Sequence, residues 1–463
     1  MRRMKIYNSD MVSFTKSPTA RMGIAFAKER EALFLTRYFD DCILRIKDVC
    51  YVAKGVAITE KETCEGTIPV VAGGKEAAYY HNCSNRDSGV ITVSASGASA
   101  GYVNYWNVPI WASDCTTVRS KDEAKYLTKF IYYLLKLVQI DMYLLQKGPD
   151  QPHVYPDDIA RIMIPNIDII RQKKFIASAK LIEDEIDKLL SGSDSNTQEI
   201  IDEVFRNKFL FDYDEFKRLK EEKKYRCSQK MFSNNPDLRF SVKFHRPAGE
   251  FVKKQLFGIT DKRIKNYLSE PIVLGASISP KDYDEGGTNH YLSMATIKTW
   301  SYDRDSAALV SEGYYDNRES KLIRKGDIIM ARSGEGTIGK VAEIMEDYND
   351  VFADFTMRIR LKNYNTTFAY FYFRTTYFQY LVEVNKKGLG NNTNIFPNIV
   401  QEFPIPDIDI DEQENIVKEI ECKLDIQKRN VEKIEMLENS IEQLLTSTLA
   451  NVVGVNNLKS FFI

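Results

Sequence analysis

The sequence is poor in the residues that mark disordered, disulfide-bonded or metal-binding chains. Its 463 residues include only 14 prolines, 23 glycines and 4 histidines. Because 12% of the residues are aromatic as well, a mainly disordered or fibrous chain is excluded. The 7 cysteines form no Cys-x-x-Cys pair, so neither a disulfide framework nor a cysteine-rich zinc site is expected. Reduced thiols in a cytoplasmic protein are expected instead.

An excess of charge of one sign is also missing, as are long apolar runs. Lys and Arg number 64 against 65 Asp and Glu, which gives a formal net charge of −1. This balance excludes a histone-like cationic binder but allows local basic surfaces. No early apolar run approaches the ~18 residues of a membrane span, and the N-terminal stretch lacks the apolar core of a secretory signal. We therefore expect two or three domains and no membrane segment.

The most informative feature is a long internal repeat. The segment GVITVSASGASAGYVNYW, which begins at Gly89, matches GDIIMARSGEGTIGKVAEIM, which begins at Gly326. In both halves an apolar and aromatic segment, an IPNID or IPDID turn and a charged stretch follow in the same order. The offset between the halves is 237 residues at these glycines and 241 residues between Pro165 and Pro406. Matched blocks in one order predict a true duplication.

Each repeated block predicts the same local structure. GVITVSAS and GDIIMARS are rich in apolar and β-branched residues and predict strands. SGASAGY and SGEGTIGK predict turns into a second strand, because glycine permits the positive φ angles that such turns need. YLTKFIYYLL and FAYFYFRTTYFQYLV are long enough for buried helices. The sequence thus predicts two α/β units, each with a hairpin and a buried helix.

A charged helix follows each unit. The second, from Gln413 to Leu449, contains no glycine or proline and has apolar residues at coiled-coil spacing, namely Ile420, Leu424, Val431, Ile434, Ile441 and Leu445. A shorter stripe precedes the turn-forming segment SGSDSNTQ and comprises Ile176, Leu181, Ile182, Ile186 and Leu189. At ~1.5 Å per residue the second helix would be a rod of roughly 55 Å. A narrow apolar stripe predicts a partner helix, and a solvated helix without a partner is the alternative.

A basic stretch opens the second half. FKRLKEEKKYRCSQK, at residues 216–230, contains seven Lys and Arg against two Glu and is predicted to be helical. Basic stretches with aromatic residues suit contacts with phosphates and bases. We therefore predict DNA contacts at Lys223, Lys224 and Arg226. An ordinary solvated helix face is the alternative.

The sequence predicts no catalytic site in this chain. The run from Gly334 to Lys340 has the spacing of a phosphate-binding loop, but Val341 follows where Ser or Thr would hold magnesium. VAEIM also predicts a strand where such a loop needs a helix, so a hairpin turn is favoured. His-Glu-x-x-His is absent. Residues 234–237 lack the second proline and the aromatic residue of the Asn-Pro-Pro-Tyr box of adenine methyltransferases.

Two α/β units that are each followed by a coiled-coil helix resemble the specificity subunit of type I restriction-modification enzymes. The resemblance extends over nearly the whole chain and is strongest in KGDIIMARSGEGTIGKVAEI and IFPNIVQEFPIPDIDIDEQENIVKEIE. The family implies an α/β (α+β) fold with two duplicated target recognition domains, each of which reads one half of a split DNA sequence. Long antiparallel coiled-coil spacer helices join and separate these domains and dock two modification methyltransferase subunits.

The resemblance also implies partners, a cofactor assignment and domain boundaries. Double-stranded DNA and two methyltransferase subunits are the expected partners, and restriction or translocase subunits are further candidates. No cofactor or metal is expected in this chain, since S-adenosylmethionine belongs to the partner methyltransferase. The predicted segments are an N-terminal extension (1–40), recognition domain 1 (41–167), the first spacer helix (168–205), recognition domain 2 with its basic lead-in (206–409), the second spacer helix (410–450) and a C-terminal tail (451–463).

The hairpins supply the other predicted DNA contacts, because polar side chains beside glycine can approach phosphates closely. These residues are Ser96, Ser99, Arg332, Ser333, Thr337 and Lys340. The alternative is that the hairpins only shape the fold. Two other functions also stay open: the recognition part of another DNA methyltransferase or restriction enzyme, and a coiled-coil interaction protein that binds no DNA. The missing methyltransferase box argues against the first, and the duplicated units argue against the second.

Overall fold

The computed structural model describes residues 44–148, 151–191, 196–228, 230–231, 239, 241–334, 336–388 and 393–450. The predicted N-terminal extension, the C-terminal tail and residues 234–237 lie outside this part of the chain. The chain divides into two compact units, one of residues 1–192 with 431–463 and the other of residues 193–430. The long C-terminal helix therefore contributes its first part to the second unit and its last part to the first.

Sheets form the centre of the first unit. Its described strands are β1 (Leu44–Arg45), β2 (Cys50–Lys54), β3 (Ile68–Val71), β4 (Ala77–His81), β5 (Val90–Ser94), β6 (Val103–Trp106), β7 (Trp111–Ala112), β8 (Cys115–Ser120) and β9 (Met163–Ile164). One antiparallel sheet has the order β2-β8-β5-β6, a second sheet has the order β4-β3-β7, and β1 pairs with β9. All five residues of β5 are buried. Burial on both faces explains why its apolar residues are adjacent rather than alternating.

Five helices are described in the first unit. They are α1 (Ile46–Val49), α2 (Thr128–Leu137), α3 (Gln139–Leu144), α4 (Pro156–Ala160) and α5 (Ile169–Ser191). The apolar side of α2 packs on β5 and β6. Phe130 of α2 meets Phe175 of α5 edge to face, with 5.6 Å between the ring centroids. The buried helix predicted from YLTKFIYYLL is thus confirmed, and α3 continues it after Val138.

The second unit has its own sheets. Its described strands are β10 (Val273–Leu274), β11 (Asn289–Leu292), β12 (Ala308–Val310), β13 (Asp327–Ala331), β14 (Val341–Glu343), β15 (Val351–Phe352) and β16 (Thr356–Arg360). The four-stranded sheet has the order β10-β16-β13-β14, and the three-stranded sheet has the order β12-β11-β15. The strand β13 is buried along its whole length, as β5 is in the first unit.

The two units repeat one sheet topology. The order β2-β8-β5-β6 returns as β10-β16-β13-β14, and β4-β3-β7 returns as β12-β11-β15. In each three-stranded sheet the central strand has one antiparallel and one parallel neighbour. The hairpins also agree, since β5 pairs antiparallel with β6 and β13 with β14. The predicted duplication and both predicted hairpins are confirmed.

The second unit contains more described helices than the first. They are α6 (Thr197–Phe209), α7 (Tyr213–Glu221), α8 (Pro247–Ile259), α9 (Ile264–Tyr267), α10 (Glu312–Tyr315), α11 (Thr366–Arg374), α12 (Thr376–Asn385), α13 (Pro397–Val400) and the first part of α14 (Ile410–Ala450). Aromatic rings dominate the core of this unit. The ring centroid of Phe205 in α6, for example, lies 5.5 Å from that of Phe368 and 5.9 Å from that of Tyr372, both on α11.

The last part of α14 pairs antiparallel with α5 in the first unit. Near the end of α5, Glu185 forms an ion pair of 2.6 Å with Lys433. Near its start, Phe175 shares a buried cluster with Leu445 and Leu449. The predicted antiparallel packing of the two charged helices is confirmed for this part of α14.

A different helix pairs with the first part of α14 in the second unit. The carboxylate of Glu203 in α6 lies 3.2 Å from the ammonium group of Lys423, and Lys208 pairs with Glu412. These contacts make α6 and α14 antiparallel. The sequence placed residues 168–205 in one spacer helix, and this is wrong. The helix α5 ends at Ser191, and α6 begins anew where Asn196 caps it by accepting hydrogen bonds from two backbone N–H groups.

Two residues of the predicted seams are exposed. Leu181 is 72% exposed, because one residue turns a helix by roughly 100° and Ile182 already faces the partner side. Val431 is 49% exposed. It lies between Gln427, which bonds to α6, and Lys433, which pairs with α5. The prediction that both residues belong to a continuous seam between helices of this chain is wrong.

Candidate nucleic-acid interface

Each hairpin turn is held against the helix behind it by the same hydrogen bond. The side-chain amide of Gln139 donates to the carbonyl of Gly101 at 2.9 Å, and that of Gln379 donates to the carbonyl of Gly339 at 2.8 Å. Both glycines have positive φ angles, of 93° and 87°. Glycine is needed here because other residues adopt this conformation only with strain. The two hairpins are therefore fixed in equivalent places on their units.

The predicted contact residues of the first hairpin lie at its turn. The hydroxyl of Ser96 hydrogen-bonds to the carboxylate of Asp114. The backbone carbonyl of Ser99 accepts a hydrogen bond from Tyr102 N at 2.9 Å. Both serines are half-buried. The structure brings Ser96 and Ser99 together on one turn, and their contact with DNA stays a prediction.

Arg332 and Ser333 lie at the start of the second turn. Arg332 Nε donates to the carbonyl of Asp354 at 2.8 Å, and one terminal nitrogen lies 3.3 Å from Asn394 Oδ1. Ser333 is buried, and its carbonyl accepts the hydroxyl of Thr337 at 3.0 Å. These contacts stabilise the turn, which is the structural role that the sequence left as the alternative.

Lys340 closes the second turn. Its ammonium group donates to the carbonyl of Lys298 at 2.6 Å. An ammonium group has three N–H donors, so this bond leaves others for a ligand. The side chain is half-buried rather than enclosed. The role of Lys340 in DNA binding stays a prediction.

Each turn contains a short glycine motif that in other proteins belongs to a catalytic or cofactor-binding site. Sequence reasoning did not identify these motifs. Gly97 to Gly101 has the spacing G-x-S-x-G of a hydrolase nucleophile, and Gly334 to Gly339 has the spacing G-x-G-x-x-G of a dinucleotide loop. Both of those motifs lead from a strand into a helix, whereas these turns join two antiparallel strands. Within the described residues no histidine or carboxylate hydrogen-bonds to the Ser99 hydroxyl. The motifs therefore shape hairpins.

The predicted basic helix is shorter than expected. The helix α7 ends at Glu221, and Lys223, Lys224 and Arg226 lie in a segment without regular structure. The prediction of a helix over residues 216–230 is wrong because no apolar stripe continues beyond Leu219 to pack on the core. All three cations are exposed. Their contact with DNA stays a prediction.

A cleft of about 400 Å³ lies beside the second hairpin. Two of the aromatic rings that line it are exposed, those of Tyr283 (45%) and Phe355 (49%). The carbonyl of Phe355 accepts a hydrogen bond from Arg332 N, as that of Asp114 does from Ala95 N in the first unit. The same backbone position thus presents a carboxylate in one unit and an exposed ring in the other.

Buried ion pairs hold the strand that leads into the second hairpin. Asp327, fully buried at the start of β13, accepts two hydrogen bonds from Arg360 of β16, at 2.6 and 2.8 Å. Donation of these hydrogen bonds to the Asp327 carboxylate raises the pKa of the Arg360 guanidinium further above its usual range. Such bidentate pairs combine charge with fixed geometry. They keep β13 in register and fix the place where the turn emerges.

The described residues contain neither a candidate metal site nor a membrane-spanning helix. In the described ranges, no three His, Cys, Asp or Glu side chains are grouped so that they could hold a metal ion. None of the described helices combines the length and the apolar character that a membrane crossing requires.

Solved structures of type I restriction-modification proteins cover 88% of this chain. The S subunit from M. genitalium is 14% identical over 95% of its length, with a TM-score of 0.47. The HsdS subunit from Thermoanaerobacter tengcongensis is 14% identical over 95% of its length, with a TM-score of 0.38. A chain from a study of complex assembly and conformational transition of the type I R-M system is 13% identical over 96% of its length, with a TM-score of 0.48. No curated protein matches the sequence significantly.

The family model matches twice. The type I restriction modification DNA specificity domain matches residues 43–190 and 271–449. These two matches include most of the chain, and each contains one of the repeated hairpins and all but the last residue of the charged helix that follows it. The chain therefore belongs to the family of DNA specificity subunits of type I restriction-modification systems.

Proposed function

We propose that this chain reads a bipartite DNA target for a type I restriction-modification complex. Each unit reads one half of the target, and the charged helices set the spacing and dock two modification methyltransferase subunits. The observation that carries the proposal is the repeated topology, in which equivalent backbone positions present different side chains. Asp114 and Phe355 are one such pair. One scaffold with two surface chemistries suits two different half-sites.

The hairpin turns and the basic segment are the proposed DNA contacts. Their cations can neutralise phosphates, and their hydroxyl and guanidinium groups can bond to base edges. The net charge of −1 does not oppose this role. Cations concentrated on one side of each unit, together with the surface of a partner, can supply the affinity.

Exposed apolar residues on the charged helices support the proposed docking. Leu181, Val431 and Met436 are 72%, 49% and 70% exposed. Contiguous apolar surface marks an interface with another protein, and these side chains would form part of such a surface on the charged helices. Burial of one such side chain stabilises a complex by about 1.5–3 kcal/mol. The residues outside the seam between α14 and its partner helices are thus the proposed contacts with the methyltransferases.

Catalysis is proposed to belong to the partners. S-adenosylmethionine would bind the methyltransferase subunits, and this chain would select the DNA on which they act. Calorimetry of the purified chain with S-adenosylmethionine should then show no binding. Stoichiometric binding, or methyl transfer by the isolated chain, would instead favour a catalytic protein.

Methylome sequencing tests the proposed function. Cells that express the methyltransferase subunit with this chain should show methylation at a split motif. Such a motif has two specified halves, each of them methylated, and a spacer of any sequence between them. Cells that express the methyltransferase alone should not show this methylation. Methylation that does not require this chain, or a continuous motif, would contradict the proposal.

A further inference from the structure

In the first unit, two lysines lie against one ring beside the hairpin. Tyr102 directly follows Gly101 at the end of the turn. The ammonium group of Lys136 lies 4.3 Å from the centroid of the Tyr102 ring, and that of Lys75 lies 5.4 Å away. Lys75 is exposed and Lys136 is half-buried. We call Lys75, Tyr102 and Lys136 the Tyr102 cluster.

The second unit has the same composition beside its hairpin. The ammonium group of Lys340 lies 5.6 Å from the centroid of the Trp300 indole, and the Arg374 guanidinium lies 5.3 Å from it. Arg374 is only 7% exposed, and its Nε has no hydrogen-bond partner among the described residues. We call Trp300, Lys340 and Arg374 the Trp300 cluster.

The two clusters occupy equivalent places, but the hairpin contributes a different component to each. Tyr102 and Lys340 each follow the last glycine of a turn, and their carbonyls accept equivalent hydrogen bonds, at 3.0 Å from Ser94 N and 2.9 Å from Ala331 N. The hairpin thus supplies the ring in the first unit and a cation in the second. Both units thus place two cations against one ring beside the hairpin.

A second cation comes from the same helix position in both units. Lys136 lies near the end of α2, and Arg374 is the last residue of α11. Each helix packs on the hairpin strands of its own unit. The cations are therefore placed at the hairpins by the repeated scaffold rather than by local sequence.

These clusters concentrate positive charge at some cost. Burial lowers the pKa of the Lys136 ammonium, and the charge of Lys75 adds to the lowering, whereas nearby glutamates oppose it. Trp300 has a φ angle of 64°, which is strained for a residue with a side chain. The hydroxyl of Tyr370 donates to its carbonyl at 2.7 Å and holds it there. An anion beside Lys75 and Lys136 would relieve the repulsion between these two cations.

We propose that each cluster is a contact site for a phosphate of the DNA backbone. Lys75 and Lys340 touch the phosphate, and Lys136 and Arg374 strengthen the positive field behind them. This inference rests on the proposed function and adds the residues that fix the register of each unit on the duplex. Phosphate contacts position a protein on DNA without reading its sequence.

The salt dependence of DNA binding tests the proposal. The full chain with its methyltransferase subunits is titrated with a fluorescent duplex that lacks the target motif, at several salt concentrations. Each phosphate contact contributes about 0.9 to the slope of log affinity against log salt. Lys75→Ala and Lys340→Ala should each reduce the slope by about 0.9, and the double variant by about 1.8. Lys75→Arg and Lys340→Arg should retain the slope, since they keep the charge.

Two exposed lysines provide matched controls. Lys125 and Lys362 follow β8 and β16, which run from the hairpin end of each sheet to its opposite end. Lys125→Ala and Lys362→Ala should leave the slope unchanged. If the wild-type complex binds the duplex and the cluster variants keep its slope, the phosphate sites are wrong while DNA recognition stands. If the wild-type complex binds neither this duplex nor its methylated motif, the proposed function fails as well.

Discussion

Gln172 and Gln413 make the same two hydrogen bonds at the start of α5 and α14. The side-chain oxygen of Gln172 accepts from Leu127 N at 2.8 Å, and that of Gln413 accepts from Asn365 N at 2.9 Å. Each side-chain amide also donates to the carbonyl five residues before it, at 2.7 and 2.8 Å. Both glutamines are essentially fully buried. Each charged helix is thus fixed to its own unit at its first turn.

Replacement of this glutamine should destabilise the second unit. Gln413→Leu leaves the N–H group of Asn365 and the carbonyl of Ile408, both partly buried, without their side-chain partner. An unsatisfied buried polar group costs about 1–3 kcal/mol, so the free energy of unfolding should fall by about that amount. Urea denaturation measures it. Gln443→Leu on the exposed side of the same helix is the control, and equal loss in both variants would contradict this role.

Substitution of two glycines in the second turn distinguishes the cost of backbone strain from the cost of a steric clash. Gly336 and Gly339 have φ angles of 80° and 87°. A Cβ at Gly336 meets no atom within 4 Å, whereas one at Gly339 meets the side chains of Gln379 and Val382 at 2.7 and 2.9 Å. Gly336→Ala should cost only the strain, about 1–3 kcal/mol, and Gly339→Ala should cost more. Thermal unfolding of both variants checks the order, and the reverse order would show that the hairpin does not pack as described.

Leu181 should matter for assembly and not for folding. Since its side chain is 72% exposed, Leu181→Asp should leave the free energy of unfolding nearly unchanged. It should weaken the complex with the methyltransferase, which size-exclusion chromatography detects. Ile140→Asp is the matched control, because Ile140 is 77% exposed but lies outside the charged helices. An intact complex with the Leu181 variant would place the docking surface elsewhere.

Substitution of Ile434, which is half-buried in the seam between α14 and α5, should disrupt assembly more strongly than substitution of Leu181. Ile434→Asp places a charge beside the contact between α14 and α5, which should cost about 2–5 kcal/mol or more. We expect loss of the methyltransferase complex before loss of either unit's fold. Circular dichroism of the same sample shows whether the units remain folded, and an unchanged complex would show that assembly does not use these helices.

Glu343 should make stability depend on pH. Burial raises the pKa of this carboxyl, and Glu421 adds to the rise, whereas a hydrogen bond from Thr367 opposes it. The folded state then holds its proton to higher pH than the unfolded state. Stability is therefore lost as the pH rises through the folded-state pKa. Glu343→Gln should be more stable than wild type at neutral pH and equal to it in acid, whereas a constant difference would exclude this titration.

Features with a local signal could be predicted from the sequence. The absence of glycine and proline predicts a long helix from Gln413 to Leu449, and the observed helix extends from Ile410 to Ala450. The hairpins were predicted because glycine at fixed positions between β-rich segments specifies a turn. Composition alone did not predict the end of the basic helix. The charged residues suggested a helix over residues 216–230, but no apolar stripe supports a helix beyond Leu219.

Features that depend on tertiary contacts could not be predicted. The partner of the first part of α14 is α6, about 220 residues earlier in the chain, as the pair Lys423 and Glu203 shows. The Tyr102 and Trp300 clusters join a turn, a loop and a helix that are distant in sequence. A comparison of the halves could have found Lys136 and Arg374 as equivalent cations, but the rings that they contact occupy different positions.

The methylated motif of variant complexes tests the central claim, that each unit reads its own half of the target. Host DNA is sequenced for methylation with the wild-type chain, with Phe355→Ala in the second unit and with Asp114→Ala in the first. We predict that each variant relaxes the base preference in one half of the motif, a different half for each, and leaves the other half unchanged. A variant that alters both halves, or a motif that neither variant alters, would contradict the account.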